Sequence, residues 1–427
     1  MRRAAGIALF WLFLLPGVAS AAVPNDPGWS QQWNLSVIRA ERAWAGSKGA
    51  GSVVAVIDTG VDLGHPDLSG RLVTGYDFID GGTPQDQNGH GTFMAGIVSA
   101  ATGNSEGVAS VAPAAKIMPI RVLKADGTGD PDVVAEGIRW AVSHGADVIN
   151  LSLAETAGGG VSLPIDFFSS SELDAAIREA AAAGRFVAIA AGNNFDDGGS
   201  SRTAYDAEVN GVLVVGASTS GDARAAYSNY GSGLDVLAPG GGSSSSPADT
   251  ACATNAPVIS TWWEDGVSLY GKGCGTSMAV AHVSGVAALL MTKGYSASGA
   301  ASRIIATAKD LGGGGWDSQT GHGRVDAYAA VGVASAPPPP AQSQSPRPRA
   351  VRTSVSTAAT PTAAPSVKDV KIVPPASPTP SESPLLLAEG PGDGPLESRR
   401  ALTVVATALA FSVGLAHPIS RWRTRVP

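Results

Sequence analysis

Residues 275–291 read GTSMAVAHVSGVAALLM, and the rest of the chain is organised around this stretch. Its apolar residues recur at three- and four-residue spacing, which predicts a helix with a buried face. Ser277 follows Gly275 and Thr276 at the start of that helix, where free N–H groups and the positive end of the helix dipole favour negative charge. A serine in this position is either a plain helix N-cap or a reactive group. The rest of the chain decides between these interpretations.

The composition limits the classes of partner. The chain has 427 residues, of which 15 % are charged, and its net charge is −7. This length is sufficient for one large domain or two medium domains. A negative charge balance without a basic cluster in the folded part argues against a nucleic-acid-binding surface. We therefore expect no nucleic acid partner.

The N-terminus has the pattern of a secretory signal peptide. Arg2 and Arg3 precede an apolar run, and small residues follow up to Ala21. This order predicts a signal peptide over residues 1–21, with an uncleaved N-terminal anchor as the alternative. In both cases the body of the protein is exported.

Export bears on the two cysteines of the chain, Cys252 and Cys274. An oxidising compartment allows them to form a disulfide, and two free buried thiols are the alternative. Cys274 lies three residues before Ser277, so a disulfide would brace the approach to that serine.

Short apolar runs alternate with amphipathic stretches between residues 53 and 331. The predicted buried strands are 53–58, 116–122, 146–152, 185–191 and 211–218. Helices are predicted over 131–145 and 170–184, each closed by a glycine. The alternation predicts an α/β fold with a mostly parallel central sheet and helices on both faces. Functional loops are then expected at the carboxyl ends of the strands.

Three further segments follow the α/β domain, which we place at residues 22–334. Residues 335–400 contain about half of the 29 prolines of the chain and almost no aromatic residue, which predicts a disordered linker. Residues 401–420 are mostly apolar and predict a single transmembrane helix, followed by a short basic cytoplasmic tail at 421–427. We therefore expect an exported domain tethered to the cell membrane. A sorting signal or a simple hydrophobic tail is the alternative.

Three other polar residues stand at strand ends or helix starts. Asp58 ends the first predicted strand, His90 lies between two glycines before an apolar helix, and Asn193 follows the fourth strand. Taken singly, they could be a carboxylate satisfied by loop amides, an incidental histidine and a turn-forming asparagine. Together with Ser277 they supply the base, the orienting carboxylate, the oxyanion donor and the hydroxyl that nucleophilic acyl transfer needs.

The motifs VVAVIDTGVD, NGHGTFMAG, AAGN and GTSMAVAHVSG resemble those of the subtilases, the subtilisin-like serine proteases, in sequence, order and spacing. The resemblance covers residues 25–331. It implies a subtilisin-like three-layer α/β fold and a serine endopeptidase that needs no cofactor for catalysis. It also implies Asp58 as the orienting carboxylate, His90 as general base and then acid, and Ser277 as nucleophile. Asn193 and the Ser277 N–H would form the oxyanion hole.

The same resemblance implies an extended peptide or protein substrate, held between two backbone segments. The segments are represented by Ser152, Leu153 and Ala154, and by Ala190, Ala191 and Gly192. Ala154 stands where the family usually has glycine, which would crowd the groove. Phe93 and Ala281 replace a frequent histidine and a usual proline, and neither change removes a catalytic group.

A structural calcium site is implied by resemblance to the thermitase-like members of the family. Asp26, Asp67 and Asn104, together with carbonyls of the loop 102–108, would supply the hard oxygen ligands that calcium prefers. Polar loop residues without a metal are the alternative interpretation.

The predicted layout of the whole chain resembles that of the mycosins, the membrane-anchored subtilases of type VII secretion. This likeness raises the alternative of a mainly structural component of a secretion complex, with a secretion-system partner. A third alternative is a peptide ligase or cyclase that uses the same acyl-enzyme. The intact set of Asp58, His90, Asn193 and Ser277 favours the protease.

Overall fold

The structure is a computed structural model that describes residues 23–153, 167–194, 203–206, 208–245, 252 and 256–332. The predicted signal peptide, linker, C-terminal helix and basic tail lie outside these residues. In the part of the chain that is described, none of the helices combines the length and apolar character needed to span a bilayer.

The described residues contain a seven-stranded sheet in which every neighbouring pair of strands is parallel. Its strands are β1 (Val53–Asp58), β2 (Tyr76–Asp77), β3 (Lys116–Arg121), β4 (Val148–Leu151), β5 (Phe186–Ala190), β6 (Val212–Ser218) and β7 (Val236–Pro239). Their order in the sheet is β2-β3-β1-β4-β5-β6-β7. An antiparallel hairpin, β8 (Val258–Glu264) and β9 (Val267–Gly273), stands apart from this sheet.

The α-helices are α1 (Trp33–Val37), α2 (Ala40–Ala43), α3 (His90–Ser99), α4 (Pro131–Ser143), α5 (Ser171–Ala182), α6 (Thr276–Met291), α7 (Ala297–Thr307) and α8 (Ala327–Val331). Short 3-10 turns lie at Trp29–Gln31, Pro66–Leu68 and Phe167–Ser169. The predicted helices over 131–145 and 170–184 correspond to α4 and α5, each of which ends two residues before the predicted glycine-closed end.

Successive residues of a strand pack against opposite helical layers. In β1, Val54 and Val56 belong to a core that includes α3, α6, α7 and α8. Ala55 and Ile57 belong to a second core with α4 and α5. Because both faces of the sheet are covered, most residues of its strands are apolar. The predicted three-layer α/β fold is confirmed.

The central helix of one layer is α6, which is buried from Thr276 to Leu290. It packs against α3 and against the strands β4 to β7. A helix that is apolar nearly all round is stable only inside a core, which explains its sequence. Its N-cap is Gly275, so Ser277 is the second helical residue. The interpretation of Ser277 as a plain N-cap is therefore wrong.

Candidate active site

The polar residues singled out by the sequence lie at one edge of the sheet. Asp58 ends β1, Ser152 follows β4, and Asn193 comes three residues after β5. Because β4 lies between β1 and β5 and all three are parallel, their carboxyl ends meet at that edge. The first residue of α3, His90, reaches the same place.

Asp58 and His90 form a buried hydrogen-bonded pair. The Nδ1 atom of His90 lies 2.8 Å from Oδ1 and 2.9 Å from Oδ2 of Asp58. The Asp58 side chain is wholly buried, and its Oδ1 also accepts a hydrogen bond from the N–H of Thr59. Because an ionised carboxylate only accepts, Nδ1 must carry the proton, which leaves Nε2 as the basic nitrogen of the ring.

The surroundings of His90 shift its basicity. Burial by itself lowers the pKa of His90, because the imidazolium loses its hydration. The charge of Asp58, the hydrogen bond to Asp58 and the charge of Asp86 act in the opposite direction and together outweigh burial. The pKa of His90 therefore lies above its ordinary value of 6.5, which suits a group that must hold a proton during a reaction.

Two glycines allow the histidine motif to approach its neighbours. A Cβ atom on Gly91 would lie 2.0 Å from the carbonyl oxygen of Gly60 and 3.1 Å from Cβ of Asp58. Gly89, the N-cap of α3, has a φ of 106° and lies directly under Trp262, whose ring would be 2.8 Å from an added Cβ. No residue with a side chain fits at either position, so the glycines flanking His90 are required by packing.

Ser277 and Ser152 exchange a reciprocal pair of hydrogen bonds. The hydroxyl of Ser277 donates to the Ser152 carbonyl at 3.0 Å, and the hydroxyl of Ser152 donates to the Ser277 carbonyl at 3.1 Å. Within the described residues, no hydrogen bond joins the Ser277 hydroxyl to His90. The start of α6 is thus held at the carboxyl end of β4, with the serine hydroxyl turned towards that strand.

The Asn193 side chain is oriented by the same helix start. Its Oδ1 accepts hydrogen bonds from the N–H of Thr276 at 2.8 Å and from the Thr276 hydroxyl at 2.9 Å. Because both donors engage the amide oxygen, the Nδ2 group is left as the hydrogen-bond donor of the side chain. An added Cβ on Gly275 would lie 3.7 Å from Nδ2, so this donor lies beside the backbone that leads into Ser277.

The predicted substrate-flanking segments are neighbours in the sheet. Leu151 pairs with Ile189, so no peptide can enter between β4 and β5 up to that point. The predicted groove is therefore confined to the residues beyond this pair. Of these, Ser152, Leu153, Ala190, Ala191 and Gly192 are buried, and Ala154 lies outside the described residues.

Comparison with known proteins decides the family. A sequence profile described as the subtilase family matches residues 49–323. The chain belongs to the subtilase family. It is 40 % identical to thermitase of Thermoactinomyces vulgaris over 310 residues, which cover 72 % of this chain and 99 % of thermitase.

Two solved structures are similar to this subtilase. A protease from Pseudoalteromonas arctica is 34 % identical with a TM-score of 0.59, covering 73 % of this chain and 99 % of its own. Fervidolysin of Fervidobacterium pennivorans, a keratinolytic enzyme related to subtilisin, is 31 % identical with a TM-score of 0.58, covering 76 % of this chain and 48 % of its own. The chain is therefore a subtilisin-like serine protease.

The two cysteines of this subtilase form the predicted disulfide. Cys252 is bonded to Cys274, with 5.6 Å between the Cα atoms. An added Cβ on Gly241 would lie 3.0 Å from Sγ of Cys274, so the bridge packs closely on the loop after β7. The disulfide ties Cys252 to the residue that follows β9, three residues before Ser277.

The residues predicted to bind calcium come together in the structure. Both carboxylate oxygens of Asp26 accept the N–H of Gly103, and Asp67 accepts the Asn104 Nδ2 group at 2.9 Å and the Val108 N–H at 2.9 Å. Asn104 thus presents its amide nitrogen to Asp67, whereas a metal ligand presents its oxygen. Within the described residues, no group of three or more His, Cys, Asp and Glu side chains is arranged to hold a metal ion.

The electrostatics of this cluster nevertheless suit a cation. The pKa of Asp67 is raised to about 7, chiefly by burial and also by the charges of Asp26 and Glu106, against the hydrogen bonds from Val108 and Asn104. Carboxylates placed together in this way repel one another. Carboxylate oxygens are among the ligands that calcium prefers.

The sequence analysis missed three residues that organise the site. Thr276 orients Asn193, Asp86 holds the loop of His90, and Thr59 links Asp86 to the loop after β1. The signal was available, because Thr59 and Thr276 stand next to Asp58 and Ser277 inside the quoted motifs. Threonine hydroxyls beside reactive groups are natural hydrogen-bond donors to neighbouring loops.

Proposed function

We propose that this subtilase is a serine endopeptidase that hydrolyses peptide bonds through an acyl-enzyme on Ser277. The observation that carries the proposal is the buried Asp58–His90 pair, which leaves Nε2 as the base at the edge to which α6 delivers Ser277. A purely structural component of a complex would not need a histidine ring paired with a buried carboxylate at this edge of the sheet. The substrate is an extended stretch of peptide.

Acylation begins when the Ser277 hydroxyl turns from the Ser152 carbonyl to Nε2 of His90. Its oxygen then attacks the scissile carbonyl carbon while its proton passes to Nε2, and the carbonyl π electrons move to the oxygen. Asp58 holds the ring in the tautomer that accepts at Nε2 and stabilises the imidazolium that forms. The raised pKa of His90 favours this proton transfer.

The tetrahedral intermediate carries a negative oxygen that needs donors. Within the described residues the N–H of Ser277, at the start of α6, has no hydrogen-bond partner, and the Nδ2 group of Asn193 is oriented by Thr276. His90 next gives its proton to the leaving amine as the carbon–nitrogen bond breaks. Water then repeats the sequence on the acyl-enzyme, releasing the acid and restoring Ser277.

Labelling with a fluorophosphonate tests this proposal. Full-length protein should be labelled and should hydrolyse a denatured protein substrate, and Ser277→Ala should abolish both reactions. Ser284→Ala is the matched control, because Ser284 is a buried serine of the same helix whose hydroxyl donates to Asn150. Labelling of folded wild type that does not depend on Ser277 would refute the proposal. Ligated products in place of free acids would identify a ligase instead.

We also propose that the cluster of Asp26, Asp67 and Asn104 binds a structural calcium ion. The carboxylates would hold the ion once Asn104 exchanges its amide nitrogen for its oxygen. The ion would offset the burial and the carboxylate repulsion that together raise the pKa of Asp67. Chelation with EGTA should lower the melting temperature of wild type and leave that of Asp67→Asn unchanged. Equal effects on both proteins would contradict this assignment.

We further propose that the protein is exported and held at the membrane by residues 401–420, with residues 335–400 as the linker. The support is the sequence pattern of residues 1–21 and of the C-terminal segment. Removal of residues 401–427 should move the protease from the membrane fraction to the medium. An unchanged distribution would refute the anchor. Copurification of secretion components with the full chain would support a secretion-system partner.

A further inference from the structure

Asp86 is a buried carboxylate beside His90 that none of the catalytic steps above employs. It follows Gln85 in the loop that leads to α3, and its side chain has no solvent exposure. Its oxygens receive five hydrogen bonds, three at Oδ1 and two at Oδ2. The donors are the hydroxyls of Thr59 and Thr92 and the N–H groups of Asn88, Gly89 and Thr92.

The directions of these hydrogen bonds fit an ionised Asp86 carboxylate, which only accepts. The Thr59 hydroxyl accepts from the N–H of Gly91, and the Thr92 hydroxyl accepts from the N–H of Asp62, so each hydroxyl proton points to Asp86. Every neighbour of the carboxylate is therefore a donor, and neither oxygen has an acceptor to which a proton could be directed. Burial raises the pKa of Asp86 above its ordinary value, and the hydrogen bonds from Gly89, Thr92 and Asn88 oppose that increase.

The network spans the two halves of the proposed catalytic pair. Thr59 gives its N–H to Asp58 and its hydroxyl to Asp86, while Asp86 binds the residues on both sides of His90. The carboxylate thus fixes the loop from which the imidazole projects and joins this loop to the strand end that carries Asp58. Its negative charge also acts on His90, where it raises the pKa of the imidazole by less than Asp58 does.

We propose that Asp86 is a positioning residue for His90, which locks the histidine loop to the Asp58 loop through Thr59 and stabilises the imidazolium by its charge. This inference rests on the proposed function, in which His90 is the general base. The other charged groups around this network are Asp58, Asp62 and Arg121. Arg121 ends β3 and donates to the carboxylates of Asp77 and Asp80 and to the side-chain oxygen of Gln87, the residue after Asp86.

The test is the pH profile of kcat/KM for full-length Asp86→Asn. Removal of the charge lowers the pKa of His90, so the acid limb should move to lower pH by about one unit. The plateau value of kcat/KM should fall by about 10- to 100-fold. The reason is that the amide nitrogen, itself a donor, replaces an oxygen that accepts from the N–H and the hydroxyl of Thr92. A merely structural loss would lower the plateau without moving the limb.

Asp235→Asn is the matched control. Asp235 is a buried carboxylate at the amino end of β7, away from the site edge, and it accepts the N–H of Val214. This variant should retain the wild-type profile. If folded Asp86→Asn has the same acid limb and the same plateau as Asp235→Asn, the inference is refuted. A wild type that shows no labelling dependent on Ser277 would instead refute the proposed function.

If Asp86→Asn does not fold, a second pair of variants tests the link between the Asp58 loop and the His90 loop. Thr59→Val keeps the carboxylate but removes the hydroxyl that joins the two loops, and Thr59→Ser restores the hydroxyl. We expect kcat to be about tenfold lower in Thr59→Val than in Thr59→Ser, with little change in KM. Equal kcat values for the two variants would overturn the proposed link.

Discussion

The oxyanion donor assigned to Asn193 gives the sharpest test of the site. Asn193→Ala removes the Nδ2 donor and also leaves the N–H and hydroxyl of Thr276 without the oxygen that they share. The substrate carbonyl gains full negative charge only in the transition state. The change should therefore act mainly on kcat and leave KM almost unaltered.

The expected loss can be estimated from the contacts. Removal of one oxyanion donor costs about 2.7–4 kcal/mol, a value measured on a subtilisin, which corresponds to about a 100- to 1000-fold lower kcat. Thr276→Val keeps Nδ2 and the backbone donor but removes the 2.9 Å hydroxyl contact that orients the amide. One neutral hydrogen bond contributes about 1 kcal/mol, so kcat should fall about fivefold. Thr276→Ser should restore it.

A peptide p-nitroanilide assay with active sites titrated by fluorophosphonate separates these effects. Titration corrects for any unfolded fraction, so that kcat refers to competent protein alone. If Asn193→Ala keeps kcat within threefold of wild type, Asn193 is not an oxyanion donor. If kcat falls as much in Thr276→Val as in Asn193→Ala, the hydroxyl contact does more than orient the amide. The fivefold estimate for Thr276→Val is then refuted.

Three further predictions concern stability. Burial lowers the pKa of His282 to about 4, below its unfolded value of 6.5. The contribution of neutral His282 to stability should therefore be complete above pH 6.5. The free energy of unfolding should fall by about 3 kcal/mol as the pH decreases to 4. Urea midpoints at pH 7 and pH 4 should show this loss in wild type and a smaller one in His282→Gln. Replacement of Cys252 and Cys274 by serine should lower the free energy of unfolding by about 3 kcal/mol, for a sequence separation of 22, with no effect of dithiothreitol on the variant. Gly91→Ala should unfold the protein or abolish its activity, because the added Cβ would overlap the carbonyl of Gly60, and circular dichroism with the labelling assay distinguishes the two outcomes.

The sheet core was predictable from the sequence because its strands are buried on both faces. All five predicted strands are present, and their ends differ from the prediction by at most two residues. The strands β2 and β7 and the hairpin β8–β9 were not predicted. β2 has only two residues, and the hairpin carries a serine and a threonine whose hydroxyls donate to carbonyls of α3. Such segments take their structure from tertiary contacts, which local periodicity does not record.

The site was predictable in its residue types but not in its connections. The sequence indicates that Asp58, His90, Asn193 and Ser277 share the edge of the sheet, because parallel strands end together. It does not indicate that Ser277 bonds to Ser152, or that Thr276 fixes the amide of Asn193, because these contacts depend on side-chain rotamers. The residues of the calcium prediction lie close together, but the sequence does not indicate that Asn104 turns its amide nitrogen towards Asp67.

The distance along the chain between contacting site residues has a consequence for folding. Ser277 and Ser152, which exchange hydrogen bonds, are 125 residues apart, and Thr276 and Asn193 are 83 apart. Contacts between such distant segments form late and slowly, because the entropy of closing long loops must be overcome first. We therefore expect Ser277 to gain these partners late in folding. Copies that fold early will meet unfolded copies as peptide substrates, so the yield of refolding should fall as the protein concentration rises.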